Sequence, residues 1–416
     1  MTVAIAIVGA AAISRHGAGW RGLGEALAAG AALPGVPALA PLGQPKVQKM
    51  MSRGAYLAAS CLGALVRQAR IASPSSCGYF LGVGASGGSL DDVIALLAES
   101  IAGGGFSLAR FGDRGLGACN PLLAFQLMNN FTLCHGAILE GLGGPNAALF
   151  SRGAGTTAAL IEAVHAIADQ DCAHAIAGGA DSALHPVTLA ELARERERRP
   201  ALAPSRAAQA RDASSPRTAL GVVEGHASAS GDAGGSAGPG RDQSGRLAFT
   251  PTEDTAPGAI GVAPTNAAPS GVVEESELVP SEGAALLALQ ALEESPNTDV
   301  LGVVEGSAIA SGLGRPLVEA VEEAVTRAVL TGADLVVIAP WCRAVAAELR
   351  GWAHDNLPDA LVVDTSALGE ALAASPALAW VAALDLLVAG RARRALVLGA
   401  GTDGDIGAVV LAREPA

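Results

Sequence analysis

The chain has 416 residues and a formal net charge of −13, and half of its residues are hydrophobic but only 3% are aromatic. This composition excludes wholesale disorder, because so apolar a chain can bury enough surface to offset its conformational entropy. An acidic chain with few aromatic rings lacks the positive surface and the stacking platforms that nucleic-acid binding requires, so we expect no nucleic-acid partner. We also expect no membrane span, because no apolar run reaches roughly 18 residues without a charge or a glycine.

The basic and sulfur-containing residues restrict the chemistry further. Lys46 and Lys49 are the only lysines, which excludes a catalytic lysine at any later position. The six cysteines form no Cys-x-x-Cys pair, and the sequence opens without the basic segment of a signal peptide, so we expect free thiols and a cytoplasmic protein. No spacing typical of a zinc site occurs, and we expect neither a metal nor a cofactor.

Apolar runs and helical periodicity alternate along the chain. The strands are apolar nearly throughout, which is typical of a sheet covered on both faces by helices. In chain order we predict strands at residues 6–14, 79–83, 174–179, 282–289, 303–311, 335–339, 396–398 and 406–413, and helices at 159–168, 317–330 and 380–389.

One stretch has a different composition. The charged run R-E-R-E-R-R at 194–199 leads into a tract rich in Pro, Gly, Ala and Ser that ends near Ser276. The tract keeps neither the period of a strand nor that of a helix, so we predict a long flexible insertion at about 196–276.

The rest of the chain contains an internal repeat. Three segments of the first half resemble three of the second half in the same order, with matching glycines at 9 and 306, at 178 and 399, and at 283 and 407. Such a repeat predicts two similar α/β halves, which we place at residues 1–295 and 296–416.

Two glycine-rich patterns suggest other chemistry. The run G-V-G-A-S-G at 82–87 matches a dinucleotide-binding pattern, but no strand ending in an acidic residue follows it, so tight turns are the better interpretation. The same run fits a nucleophile elbow with Ser86 at its centre, which leaves a serine hydrolase or acyltransferase as an alternative with weak support.

Five motifs in order along the chain resemble those of the β-ketoacyl synthase family. They are K-M-M-S-R at 49–53, the segment 121–146 that ends in G-L-G-G-P-N, G-G-A-D at 178–181, P-S-E-G-A-A at 280–285 and G-A-G-T-D-G at 399–404. The resemblance implies the thiolase fold, a duplicated five-layer α-β-α-β-α sandwich, and this fold also accounts for the internal repeat.

The positions that carry the family's chemistry are changed in this chain. The family has a cysteine nucleophile seven residues after the G-P-N asparagine, where this chain has Gly153. At the family's lysine and second histidine it has Thr365 and Glu370, and the region of the first histidine reads A-P-W-C-R at 339–343. Condensation requires a thiolate and neutral hydrogen-bond donors, so we expect no catalytic residue and no activity of the chain alone.

An inactive synthase with an intact body resembles the chain-length factor of two-chain polyketide or fatty-acid-like synthases. The resemblance implies a heterodimer with an active β-ketoacyl synthase, an acyl carrier protein that presents a phosphopantetheine-bound chain, and a tunnel at the interface. In the family the helix before the elbow projects into that tunnel, which nominates Met128, Phe131 and Phe125 as gate residues. The alternative is a scaffold that binds the carrier protein without controlling chain length.

Overall fold

The computed structural model describes residues 4–43, 45–69, 71, 73–85, 87–150, 152–198, 278–294 and 299–414. Ser86 and, beyond residue 198, the predicted insertion at about 196–276 lie outside the described residues. In the part of the chain that is described, no helix is long and apolar enough to cross a bilayer.

In the described residues, ten strands and eight longer helices form the body. Those of the first half are β1 Ile5–Ser14, α1 Arg53–Ala69, β2 Gly78–Val83, α2 Leu90–Ser100, α3 Asn130–Glu140, β3 Asn146–Phe150, α4 Ala154–Ala168, β4 His174–Ser182, α5 Pro186–Arg198 and β5 Glu282–Ala291. Those of the second half are β6 Gly302–Ala310, α6 Leu317–Arg327, β7 Leu335–Ala339, α7 Arg343–Asn356, β8 Leu361–Asp364, α8 Ala374–Val388, β9 Arg394–Ala400 and β10 Ile406–Ala412.

Shorter elements lie in the connections. The short helical segments are Leu23–Ala28, Pro45–Gln48, Pro74–Ser76, Leu108–Arg110, Phe111–Gly115, Leu116–Ala118, Leu123–Leu127, Leu292–Glu294 and Thr365–Leu368, and the short strands are Gly17–Ala18, Ile101–Ala102 and Gly105–Phe106.

The ten strands form two sets of five with the same order and the same directions. In the first set, β3-β2-β4-β5-β1, the three strands β3, β2 and β4 are parallel and the other pairs are antiparallel. The second set, β8-β7-β9-β10-β6, repeats this pattern strand for strand. A short antiparallel contact between β1 and β6, from Ile5 opposite Val304 to Ile7 opposite Gly302, joins the sets edge to edge.

Helices cover both faces of each set. The outer helices α1 and α3 lie on the first set, α6 and α7 lie on the second, and α4 and α8 lie between the two sets. Every residue of α8 from Ala374 to Leu387 is buried, as expected for a helix that is apolar on all sides. These five layers confirm the predicted thiolase-like α/β fold, whereas the boundary between the halves at residue 295 remains a prediction.

The predicted elements are found at or near their predicted positions. The strand at 335–339 has the predicted bounds, and the strand at 396–398 extends to Arg394–Ala400 because its ladder with β10 continues in both directions. The helix predicted at 317–330 ends at Arg327, since the chain turns at Val329, whose φ is 56°. The helix predicted at 159–168 starts earlier, at Ala154.

A buried carboxylate attaches the N-terminal region to the central helix α8. Asp385 is buried in α8 and accepts hydrogen bonds from the backbone N–H groups of Gly22, Gly24 and Glu25, at 2.9, 3.0 and 3.3 Å. These N–H groups belong to the first turn of the short helix Leu23–Ala28. Asp385 therefore caps that helix from another element and satisfies donors that its own N-cap, Gly22, does not.

We predict that Asp385→Ala lowers the free energy of unfolding by about 3 kcal/mol, because it leaves several buried N–H groups without an acceptor. Urea denaturation of the purified chain measures this loss. Asp355→Ala, at the exposed end of α7, is the matched control. Equal losses in the two variants would contradict the role of Asp385.

Candidate functional site

Gly153, which the sequence resemblance places at the family's nucleophile position, lies at the N-terminus of the central helix α4. Gly153 is the N-cap of this helix and has φ 121° and ψ −65°, a conformation that residues with a side chain rarely adopt. A Cβ atom at Gly153 would lie 2.5 Å from the Cα and 2.9 Å from the backbone nitrogen of Gly401. Both the backbone conformation and the available space therefore exclude a cysteine at this position unless the backbone shifts.

The turn at Arg152 and Gly153, between β3 and α4, is called the elbow below. The loop from residue 399 to residue 404 holds this elbow in place. The backbone N–H of Thr402 donates to the Arg152 carbonyl at 3.1 Å, and Asp403 accepts hydrogen bonds from the backbone N–H groups of Arg152 and Asp405. Burial raises the pKa of the Asp403 carboxyl group. The G-A-G-T-D-G motif thus acts here as a backbone clamp on the elbow.

Thr365, which the sequence resemblance places at the family's lysine position, is a buried residue with a hydroxyl group. Thr365 follows β8 directly, and its Oγ1 donates to the Ile338 carbonyl at the end of the neighbouring strand β7, at 3.0 Å. A threonine whose proton is engaged in this way joins two strand ends and carries no positive charge.

Glu370 is the residue that the sequence resemblance places at the family's second histidine position, and its side chain is buried. Glu370 is 2% exposed, and its Oε1 accepts hydrogen bonds from the Leu372 backbone N–H and the Ser375 hydroxyl. Its backbone N–H and carbonyl also bond Val279 and Ser281 of the segment that leads into β5. Glu370 therefore organises the turn before α8.

The region that matches the family's first histidine has no histidine. Trp341 is buried in the core between β7, β9, α6 and α7, and Cys342 is the N-cap of α7. Trp341 therefore serves packing in the second half of the described chain.

The resemblance placed the three nominated gate residues on one helix, but in the structure they do not share a helix. Phe125 belongs to the short helix Leu123–Leu127, Met128 is extended with ψ 116°, and Phe131 belongs to α3. The Phe125 and Phe131 rings contact edge to face at 5.0 Å, and the Phe131 ring contacts His135 at 5.4 Å. Phe125 and Met128 are 37% and 50% exposed, so the break in the helix presents both at the surface.

A cavity of about 420 Å³ opens at the carboxyl ends of β2 and β4. The start of α1 and the helix α3 contribute Arg53, Gly54 and Thr132 to its wall, and the gate residues do not line it. Its lining comprises Arg53, Gly54, Gly84, Ala85, Gly87, Thr132, Ala180, Asp181, Ser182, Leu184, His185, Pro186 and Glu282.

Two motifs that are far apart in the sequence meet in this cavity. The Arg53 guanidinium bonds both carboxylate oxygens of Glu282, and Ser182 donates its hydroxyl proton to the same carboxylate at 3.0 Å. Glu282 is buried, so its charge requires these partners. The sequence analysis assigned no role to this network, although a single charge inside the apolar run of β5 is a signal that it must be paired.

Asp181 lies between this cavity and the elbow. Its carboxylate accepts hydrogen bonds from the backbone N–H groups of Ser182 at 2.7 Å and Ala373 at 3.4 Å, and it lies against Gly84, where a Cβ atom would collide with it. Burial raises the pKa of Asp181 to about 7, against the opposing effects of these hydrogen bonds and of the Arg152 charge.

We predict that the free energy of unfolding contains a contribution from Asp181 that is lost between about pH 4 and pH 7. The folded protein keeps a proton on Asp181 that the unfolded chain releases near pH 4, so this contribution decreases as the pH rises. In Asp181→Asn the group cannot ionise, and the stability advantage of the unmodified chain over the variant should shrink from pH 4 to pH 7.5.

Urea denaturation at a series of pH values measures this difference. Asp359→Asn, at an exposed turn, controls for the loss of one carboxyl group. A difference between the unmodified chain and Asp181→Asn that stays constant with pH would show that Asp181 is ionised throughout.

Comparisons with known proteins agree with the geometry. Residues 30–229 match the model of the N-terminal domain of β-ketoacyl synthases. No curated protein sequence matches the chain.

Solved structures with the same fold extend the match to the whole length. A type II polyketide synthase acyl-carrier protein in complex with its ketosynthase bound to the hexaketide contains a chain that is 11% identical, with a TM-score of 0.65 and full coverage of both chains. The ishigamide ketosynthase/chain length factor is 19% identical with a TM-score of 0.62, and a β-ketoacyl synthase from Burkholderia phymatum is 16% identical with a TM-score of 0.65. Each of these two covers 99% of this chain and is itself fully covered.

The motifs, the five layers and these matches point in the same direction. Residues 30–229 are similar in sequence to the N-terminal domain of β-ketoacyl synthases, and the chain has the thiolase-like fold of solved ketosynthases along its length.

Proposed function

We propose that this chain is the non-catalytic partner of an active β-ketoacyl synthase in a type II polyketide or fatty-acid-like synthase. In this role it pairs with the active subunit and limits the length of the acyl chain by shaping the tunnel at their interface. The growing acyl chain arrives on the phosphopantetheine arm of an acyl carrier protein.

The conformation of the elbow carries the proposal. Gly153 stands at the position of the nucleophile with a positive φ, and its Cα faces the backbone of Gly401 without room for a side chain. Thioester exchange at this elbow requires a thiolate, and neither the residue nor the space for one is present in this conformation. The backbone segments at Gly153 and Gly401 together leave no room for a nucleophile at this position.

The two positions that follow β8 support the same conclusion. In the family these positions supply a lysine and a histidine, whereas here the Thr365 hydroxyl bonds a strand carbonyl and Glu370 bonds the turn before α8. A buried carboxylate would oppose the negative charge that develops on a carbanion or an oxyanion. Both residues are suited to maintaining the fold.

An exposed apolar surface supports the presence of a partner subunit. Among the described residues, strand β3 lies at the edge of its sheet and pairs with β2 alone, and Phe150 at its end is 56% exposed. The adjacent helix α3 exposes Ile138 by 76%. Further exposed apolar residues lie just before α3, and they are Phe125, Leu127 and Met128. An unpaired edge beside exposed large apolar side chains is typical of a surface that another protein covers.

The fold neighbours are consistent with this assembly. One of them is described as a ketosynthase/chain length factor, and another as an acyl-carrier protein in complex with its ketosynthase. A subunit that limits chain length needs only a defined volume and no reactive group, because a wall of side chains stops a growing chain by steric exclusion.

We predict that Met128→Ala and Phe131→Ala lengthen the product by at least one two-carbon unit, because each removes bulk from the proposed gate. The experiment combines this chain with a co-purifying, cysteine-bearing β-ketoacyl synthase, an acyl carrier protein and the extender thioester. Mass spectrometry of the products gives the chain length.

Leu313→Ala, at an exposed position after β6, is the matched control and should leave the product unchanged. Unchanged product length with both gate variants bound to the partner removes these residues as gates. If exchange of the whole subunit also leaves the length unchanged, the chain is a scaffold and not a length factor.

We also predict that Gly153→Cys does not create a condensing enzyme. The substitution forces a side chain into a backbone with positive φ and against Gly401, which should cost on the order of 1–3 kcal/mol from the backbone conformation alone. Thermal unfolding measures the destabilisation, and mass spectrometry after incubation with acyl-pantetheine detects any acylated cysteine.

Gly351→Cys provides the control, because this glycine lies in α7 with no atom within 4 Å of a built Cβ. It should unfold at nearly the same temperature as the unmodified chain. An acylated Gly153→Cys variant that forms an elongated ketone would contradict the proposal.

A further inference from the structure

A second cavity, of about 470 Å³, lies at the opposite end of α1 from the cavity described above. Its wall includes Gln68, near the end of α1, whereas Arg53 of the first cavity stands at the start of the same helix. The helical rise places these two positions about 22 Å apart along the helix axis. The second cavity is therefore a separate site, which the proposed function does not use.

Strand β1 has an open edge in this cavity. Its pairing with β6 ends at Ile7, and the next hydrogen bond on that side joins the Gly19 N–H to the Ala12 carbonyl, at 2.7 Å. Backbone groups alternate in direction along a strand, so the N–H and C=O of Ala10 point to the same side as those of Ala12. Ala10 lines the cavity, and among the described residues no strand pairs with it on that side. The cavity thus offers a backbone donor and a backbone acceptor.

Charges of both signs lie beside this open edge. The Arg21 guanidinium stacks over the Trp20 ring, 4.1 Å from its centre, which fixes the plane of the group and directs its N–H donors sideways. The Asp299 carboxylate, just before β6, lines the same cavity. Within the described ranges, Arg21 and Asp299 form no ion pair with each other or with another residue. A cavity that keeps opposite charges apart favours a ligand that carries one charge of each sign.

A short peptide with free ends has all of these features. It carries a carboxylate, an ammonium group and, between them, amide groups that donate and accept hydrogen bonds as a neighbouring strand does. The edge of β1 between Ile7 and Ala12 spans about 16 Å, which accommodates two or three extended residues with their charged ends. Gly9, Ala18 and Gly19 also line the cavity and leave room for small side chains.

We propose that this cavity binds a free peptide of two or three residues in an extended conformation. Arg21 holds its carboxylate, Asp299 holds its ammonium group, and the backbone of Ala10 pairs with its amide. The bound peptide contacts β1 of the first half and the residues that lead into β6 of the second half. The site goes beyond the proposed function and does not depend on a partner synthase.

The first test measures binding of L-alanyl-L-alanine to the full chain by isothermal titration calorimetry. N-acetyl-L-alanyl-L-alanine lacks the ammonium group, and L-alanyl-L-alanine amide lacks the carboxylate. We expect each blocked form to bind at least tenfold more weakly than the free dipeptide, because each loses one charged contact.

Two variants assign the ends of the peptide to their partners. Arg21→Gln should weaken binding of the free dipeptide at least tenfold and leave the amide form unchanged, since that form has no carboxylate. Asp299→Asn should weaken the free dipeptide to a similar extent and leave the N-acetyl form unchanged. Both side chains are exposed, so we expect both variants to fold. Arg343→Gln and Asp359→Asn, at exposed positions outside the cavity, are the matched controls and should bind all three probes as the unmodified chain does.

A second pair of probes tests the open edge of β1. Glycylglycine and 5-aminopentanoate carry the same two charges, separated by the same number of chain atoms, but only glycylglycine has an amide. We expect glycylglycine to bind at least tenfold more tightly, because its amide pairs with the backbone of Ala10. Equal binding of the two probes would show that the charges act alone and would overturn the assignment to peptides.

The other outcomes are equally decisive. Absence of dipeptide binding, equal binding of the blocked forms, or a loss in the Arg21 and Asp299 variants that is the same for all three alanyl probes overturns the inference, even if the chain pairs with a synthase and limits product length. The expected pattern supports the inference even in a chain that does neither.

Discussion

The close contact between two backbone segments, the elbow at Gly153 and the loop at Gly401, determines what this fold can do. Glycine is required on both sides, because a Cβ on Gly401 would collide with the Arg152 carbonyl and a Cβ on Gly153 would collide with Gly401. The hydrogen bond from Thr402 to Arg152 closes the contact. The backbone at Gly401 therefore occupies the space at the N-terminus of α4. A helix N-terminus can stabilise a thiolate, but here this position is used for packing.

Charged groups inside the apolar body specify how its layers dock. Asp385 fastens the N-terminal helix to α8, and Glu282 joins the start of β5 to the start of α1 through Arg53. Each buried carboxylate has a defined set of donors, so a shifted register or a displaced helix would leave a charge without partners. The same requirement places polar groups in the wall of the cavity at the ends of β2 and β4, because Arg53, Glu282 and Ser182 form part of it.

The sequence predicted the architecture well, because the patterns that indicate strands and helices are local. Apolar strands, amphipathic helices and matching glycines at 9 and 306 reflect short-range constraints, and they reappear as two sets of five strands with one topology. The gate segment was predicted less well. The resemblance placed the gate residues on the single helix before the elbow, whereas the chain is extended at Met128, between the short helix Leu123–Leu127 and α3.

The order of the motifs follows from the sequence alone, and the expectation that Gly153 and Thr365 stand where the family has a cysteine and a lysine also comes from the printed residues. The pairing of Arg53 with Glu282, the positive φ of Gly153 and the meeting of distant motifs in one cavity required the folded chain. These features join residues up to 229 positions apart, or depend on a backbone angle that neighbouring packing imposes. Local propensity carries no information about such contacts, because they form only when separate layers meet.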